Sequence, residues 1–317
     1  MSHLTVTLPD GPVQGGWAQQ FPQVRAFLGL PYAAPPVGLL RFAPPAPCPR
    51  PDTWSPLGGA VPDALGAAFA EATQLTLDIW TPADAVGRPV LVWFDDETGA
   101  ASGRRFCARL AAEHGIVVVA PRHRRGALGY LDLTAVRDGL GNGNFGLLDQ
   151  MEALTWVATH GRAFGGDPAT ITVSGRGQGA HAAALLAGLP RTGPLVRRLV
   201  LPADVPEGHV QTPVRAARAA AAFLTLLDAD PDGSDDLREV DATVIARVET
   251  TLRHEQGRTP FGLVAHDDLP FGDVAELLRT AESPVEVVAA GACAGCAVEP
   301  AVHAGAGREL LHLGAAR

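Results

Sequence analysis

The chain has 317 residues, 47% of them hydrophobic, and carries 25 basic against 34 acidic side chains, a formal net charge of −9. That is ample apolar material for a sizeable core, and the negative field opposes contact with phosphate backbones and anionic lipid, so neither nucleic acid nor membrane is an expected partner. Lysine is absent altogether, which excludes Schiff-base enzymes, lysine-anchored pyridoxal phosphate and the lysine of a phosphate-binding P-loop; no cofactor and no metal are expected.

The first stretch, to about Thr73, is rich in proline and glycine, with short extended pieces suited to an antiparallel lead-in. From there β-branched and apolar runs predict strands at Leu75–Trp80, Pro89–Asp95, Ile116–Pro121, Ile171–Gly175, Arg198–Leu201 and Val285–Ala290. Amphipathic segments between them predict helices at Ser102–His114, Phe145–Phe164, Gln178–Leu189, Val214–Leu227 and Thr243–Arg253. This alternation argues for a mostly parallel sheet with helices on both faces. Asp228–Asp236 reads as a solvated turn between two helices, because it lacks the glutamate and the spacing of a calcium loop. No linker divides the chain, and a single domain over 1–317 is expected. The N-terminus lacks a basic region followed by an apolar one, and no apolar run reaches membrane-spanning length. With only four cysteines the expectation is reduced thiols and a cytoplasmic protein. The lone Cys-x-x-Cys of Cys293 and Cys296 reads as small buried residues rather than a zinc or redox site.

Several ordered motifs carry a resemblance. They are Phe27-Leu28-Gly29-Leu30-Pro31-Tyr32-Ala33-Ala34-Pro35-Pro36-Val37-Gly38 with Arg41-Phe42, then Leu75-Thr76-Leu77-Asp78-Ile79-Trp80-Thr81-Pro82. Gly143-Asn144-Phe145-Gly146-Leu147-Leu148-Asp149-Gln150 and Phe164-Gly165-Gly166-Asp167-Pro168 follow. Together, over positions 11 to about 190, they resemble the type-B carboxylesterases and cholinesterases of the α/β-hydrolase fold. The resemblance implies an α/β-hydrolase-like domain. It also implies a C-terminally truncated one, because that family's triad histidine lies much further along than this chain runs.

The resemblance directs attention to Gly175-Arg176-Gly177-Gln178-Gly179, a strand, tight glycine turn and helix in sequence, the context of a nucleophile elbow. Elbow chemistry requires Gly-x-Ser-x-Gly, with a serine at the apex; here the apex is Gly177, which has no side chain to attack a carbonyl. Where the family carries oxyanion-hole glycines, this chain has Asp95-Asp96-Glu97, whose charges oppose a developing oxyanion. Cys296 falls at the position of the triad acid, with Glu299 the nearest carboxylate. Of the six serines only Ser174 lies near the turn, and alternation aims it into the sheet. His181, on the first turn of the next helix, and His123, at the end of a strand, are the acid/base candidates, with Asp95 and Glu97 beside them. Cys48 and Cys107 have no histidine partner that spacing identifies. Arg176 and the acidic run leave neighbouring strands in the implied fold, so Arg176 is expected to pair with one of those carboxylates.

The expected function is that of a pseudo-esterase, inactive in ester hydrolysis, that binds a small molecule or a protein; an exposed patch left by the implied truncation would make an oligomer reasonable, though no residue specifies an interface. The alternative readings are a carboxylic ester hydrolase or non-hydrolytic cyclase or dehydratase with non-standard catalytic residues, and a decayed gene product.

Overall fold

The computed structural model describes residues 4–48, 75–95, 100–135, 141–202, 210–229, 236–256, 259–266, 274–281 and 285–290. Its strands are β1 (Leu4–Leu8), β2 (Gly11–Ala18), β3 (Phe21–Pro31), β4 (Thr76–Pro82), β5 (Arg88–Phe94), β6 (Val117–Pro121), β7 (Gly166–Gly175), β8 (Arg198–Pro202) and β9 (Glu286–Ala290). The helices are α1 (Ala100–His114), α2 (Gly126–Tyr130), α3 (Phe145–His160), α4 (Gln178–Gly188), α5 (Pro213–Leu227), α6 (Ala242–Gln256) and α7 (Val274–Thr280).

The strands form one sheet in the order β1-β2-β3-β4-β6-β5-β7-β8-β9. The lead-in of β1 to β3 is antiparallel and continues antiparallel through β4 to β6, whereas β6, β5, β7, β8 and β9 run parallel. The sheet is therefore mixed, with its parallel half in the part that the βα alternation predicted. Alternation along the strands explains the two layers. Val90, Val92 and Phe94 of β5 pack on one face with Leu147, Leu154 and Trp156 of α3 and Leu185 of α4. Leu91 and Trp93 turn to the opposite face, against Cys107, Leu110 and Ala111 of α1. A third cluster joins Leu128 of α2, Phe145, Phe223 of α5 and Ile245 and Leu252 of α6. No helix among the described residues is long and apolar enough to cross a membrane.

Two boundaries depart from the sequence expectations. The predicted helix 145–164 leaves α-geometry at His160 and closes as a 3-10 turn over Gly161–Phe164. Gly165, at φ 85°, makes the reversal, and its backbone carbonyl accepts from Arg88 N–H at 2.9 Å. Gly166-Asp167-Pro168 then already belongs to β7, because Gly166 pairs with Arg88; tertiary pairing overrides the turn composition. The short helices α2 and α7 were not anticipated. Asp228 caps α5 in the left-handed region, at φ 54°, as a turn residue should, while 230–235 of the acidic loop lie outside the described residues.

Candidate functional site

The chain passes from β5 to β6 on one side of β5 and then crosses to β7 on the other. Loops leaving the carboxyl ends of β5 and β7 diverge at this point, which makes it the crevice where open α/β sheets place their ligands. Asp95 follows β5, and Arg176 and Gly177 follow β7.

The turn between β7 and α4 is held by close backbone contact. Arg176 N–H donates to Phe94 O at 3.1 Å. A Cβ on Gly175 would lie 2.3 Å from Phe94 O, and one on Gly179 2.2 Å from the same atom, so glycine at both positions is what lets the turn sit against β5. Between them Gly177 has φ 51° and ψ −123°. A side chain at that backbone conformation is strained, and in a nucleophile elbow that strain is what presents the nucleophile; here the geometry is built with glycine.

Arg176 closes onto the end of β5, as expected. Its terminal guanidinium nitrogen is 2.6 Å and its Nε 3.2 Å from the same oxygen, Asp95 Oδ1. The other carboxylate oxygen faces α1, where a Cβ on Gly103 would stand 2.4 Å from it. Asp95 thus spans the gap between the elbow and the first turns of α1. Asp96 and Glu97 lie outside the described residues, as do Cys293, Cys296 and Glu299.

The remaining candidates disperse. Ser174 is fully buried, its hydroxyl donating to Val200 O at 2.8 Å, so it is a sheet residue as alternation implied. His181 is buried in α4, with its backbone N–H 3.3 Å from Gly177 O. His123 lies two residues past β6, buried, with Nε2 3.1 Å from Gln150 Nε2 of α3. Its Nδ1 and the Gln150 Oε1 are enclosed with no partner among the described residues, and burial, helped by Arg125, lowers the imidazole pKa to about 3; the ring is neutral throughout the physiological range. Cys107 is buried in α1, and burial together with Asp95 and Asp78 pushes its thiol well up, away from the reactive thiolate. Cys48 is half-buried, its thiol likewise raised by burial. No group of three or more histidine, cysteine or acidic side chains able to hold a metal occurs among the described residues.

Three polar clusters at this edge were not foreseen. Asp149 of α3 takes Arg124 N, Nε and a terminal nitrogen at 3.0, 2.8 and 2.7 Å. Asp78 accepts from Gly29 N–H at 2.8 Å, Arg104 Nε at 2.8 Å and Arg122 at 2.9 Å. His266 Nε2 is 3.2 Å from Asp132 Oδ2. Each joins residues far apart in sequence, and only Asp78 and Asp149 stood inside motifs that could have flagged them.

A family model described as the Carboxylesterase family matches residues 2–291. The chain belongs to the carboxylesterase family. It is 30% identical over 314 residues to the para-nitrobenzyl esterase of Bacillus subtilis, covering 93% of this chain and 61% of that protein. It is 32% identical over 293 residues to the fumonisin B1 esterase of Sphingopyxis macrogoltabida, covering 85% of this chain and 51% of that one. Among solved structures, a thermophilic PNB esterase superposes with a TM-score of 0.77 at 28% identity, covering 92% of this chain and 63% of that chain. The fold is that of the α/β-hydrolases, and this carboxylesterase-family chain spans about three-fifths or less of the length of these relatives.

Proposed function

We propose that this carboxylesterase-family chain does not hydrolyse esters and uses the carboxyl edge of its sheet to bind a small molecule or a protein. The observation that carries the reading is Gly177 at the apex of the turn: the backbone takes the bend of an elbow, and no hydroxyl or thiol stands on it. The test is hydrolysis of short-chain p-nitrophenyl esters by the purified protein, beside labelling with a fluorophosphonate probe for activated serine. Inert and unlabelled protein is the expected result; turnover that survives purification to constant specific activity overturns the reading.

A second reading is favoured by the relatives, which are named as esterases and as a probable N-octanoylanthranilate hydrolase. On it the chain is an ester hydrolase, or a cyclase or dehydratase, with non-standard residues. Ester turnover lost in His181→Ala or His123→Ala, with fold retained, would establish it.

A further inference from the structure

Residues 259–266 form an extended strap held across the start of α3. On one side Gln211 N–H donates to Leu263 O at 2.7 Å, Ala265 N–H donates to Gln211 O at 3.0 Å, and the Gln211 carboxamide donates to Pro260 O at 3.0 Å. On the other, the Asn144 carboxamide engages both backbone polar groups of Val264, at 2.8 and 2.9 Å. At the end of the strap His266 Nε2 reaches Asn142 O at 3.0 Å and Asp132 Oδ2 at 3.2 Å.

Both partners of that nitrogen are acceptors, so Nε2 carries the proton and the basic nitrogen of the neutral ring is Nδ1. Asp132 is itself fixed. Its Oδ1 accepts from Thr134 N–H at 3.0 Å and from the Thr134 hydroxyl at 2.7 Å, and its side chain is 4% exposed. Gly143 lies so close that a Cβ there would be 2.8 Å from Asp132 Cα. The His266 side chain, by contrast, is 19% exposed. Its position matters because α3 delivers the chain to the amino end of β7, so the start of that 16-residue helix stands at the carboxyl edge. Asp132 and His266 therefore share an edge with Gly177 and Asp95.

We propose that His266 is a proton-accepting residue of the carboxyl-edge site, with Asp132 as its positioning residue, and that it accepts through Nδ1 from the hydroxyl of a bound ligand. In a ligand that is turned over the O–H bond breaks, its electron pair stays on the oxygen, Nδ1–H forms, and the imidazolium keeps its Nε2–H on Asp132 and Asn142; in a ligand that is only held the O–H stays whole and donates a hydrogen bond to Nδ1. A ring whose tautomer and plane are already set by a buried carboxylate loses no orientation when it takes the proton, and the carboxylate stabilises the positive charge that appears. The proposal holds whether the ligand is turned over or only held, so it stands apart from the hydrolytic question.

The test is carbethoxylation of the whole protein by diethyl pyrocarbonate, read by peptide mapping and by NMR assignment of the modified nitrogen. An imidazole nitrogen attacks the reagent's carbonyl carbon, the N–C bond forms, and ethyl carbonate leaves, taking up the ring proton and decomposing to ethanol and carbon dioxide. The expected product is modification of His266 at Nδ1, several-fold faster than that of the exposed His254, because the Asp132 carboxylate already accepts from the Nε2–H that the ring gives up on acylation. Asp132→Asn, which removes the charge, is expected to abolish that advantage while His254 reacts unchanged. Modification at Nε2, or a rate no greater than that of His254, overturns the proposal. Should Asp132→Asn fail to fold, the site of modification in the unaltered protein decides alone.

Discussion

Two arginine–aspartate pairs stand at the carboxyl edge of one sheet and differ in what surrounds them. The Arg124 and Asp149 side chains are 2% and 0% exposed, and both carboxylate oxygens are taken by Arg124. Arg124 also donates to Ala43 O at 2.6 Å and lies over the Phe145 ring at 5.0 Å. Burial pushes the Asp149 carboxyl above its ordinary range, and the hydrogen bonds from Arg124 pull against that. Arg176 and Asp95 are 37% and 17% exposed, and Arg176 Nε and a terminal nitrogen both meet the same oxygen of Asp95. The same two functional groups thus do different things. The buried pair holds the exit of β6 to α3 and is tolerable only because it is complete; the open pair is screened by water and chiefly sets where the β5 and β7 loops lie.

The sharpest way to break that contrast is Asp149→Ala. It strands the Arg124 cation in the interior, and the expected loss is about 3–5 kcal/mol in denaturant unfolding; a loss as small as that of an exposed pair would mean that water reaches Arg124. Next comes Gly179→Ala, whose Cβ would lie 2.2 Å from Phe94 O, backbone against backbone with nothing flexible to give way. A loss of about 3 kcal/mol is expected. Near-neutral stability would show that the end of β5 moves freely from the elbow, and then Arg176 could not be holding it there.

Which parts of this were readable beforehand follows from the range of the forces involved. Strands β4 to β9 were legible because runs such as Val117-Val118-Val119 send alternate side chains to two covered faces. The lead-in was legible only in outline, since Gly11, Pro12, Gly15 and Gly16 interrupt the pattern of β2 while its ladders still form. Helix α2 has five residues and opens on a glycine, so it left no period to detect. At the site, Arg176 with Asp95 was foreseeable because both leave strand ends that the fold makes neighbours. His266 with Asp132, and His123 with Gln150, were not, because those partners meet through loops and helix packing that no local spacing encodes.

His123 sharpens the comparison from the opposite direction, as a buried group whose partner set is incomplete. Its folded pKa of about 3 lies below the ordinary value of 6.5, so between these values the unfolded chain binds the extra proton and stability falls as pH drops. Relative to His123→Phe, which cannot titrate, the unaltered protein is expected to lose about 2 kcal/mol between pH 7 and pH 5. Parallel pH profiles for the two proteins would mean that the ring has found a partner that stabilises its cation. The completed pair of Arg124 and Asp149 and the incomplete pair of His123 and Gln150 would then no longer differ in kind.

The smallest expected effect belongs to the open pair. Arg176→Ala removes two contacts to Asp95 Oδ1, but with the guanidinium more than a third exposed the loss should be about 1 kcal/mol or less. Its consequence should appear in the loops instead, as faster amide hydrogen exchange at the end of β5 and the start of α1, where Asp95 sits against Gly103. Exchange there that is unchanged, together with unchanged stability, would sink the pairing as a positioning device and leave the close contact of Gly175 and Gly179 with Phe94 as what holds the elbow. A loss of several kcal/mol would sink the contrast itself, because it would place Arg176 and Asp95 in an environment as dry as that of Arg124 and Asp149.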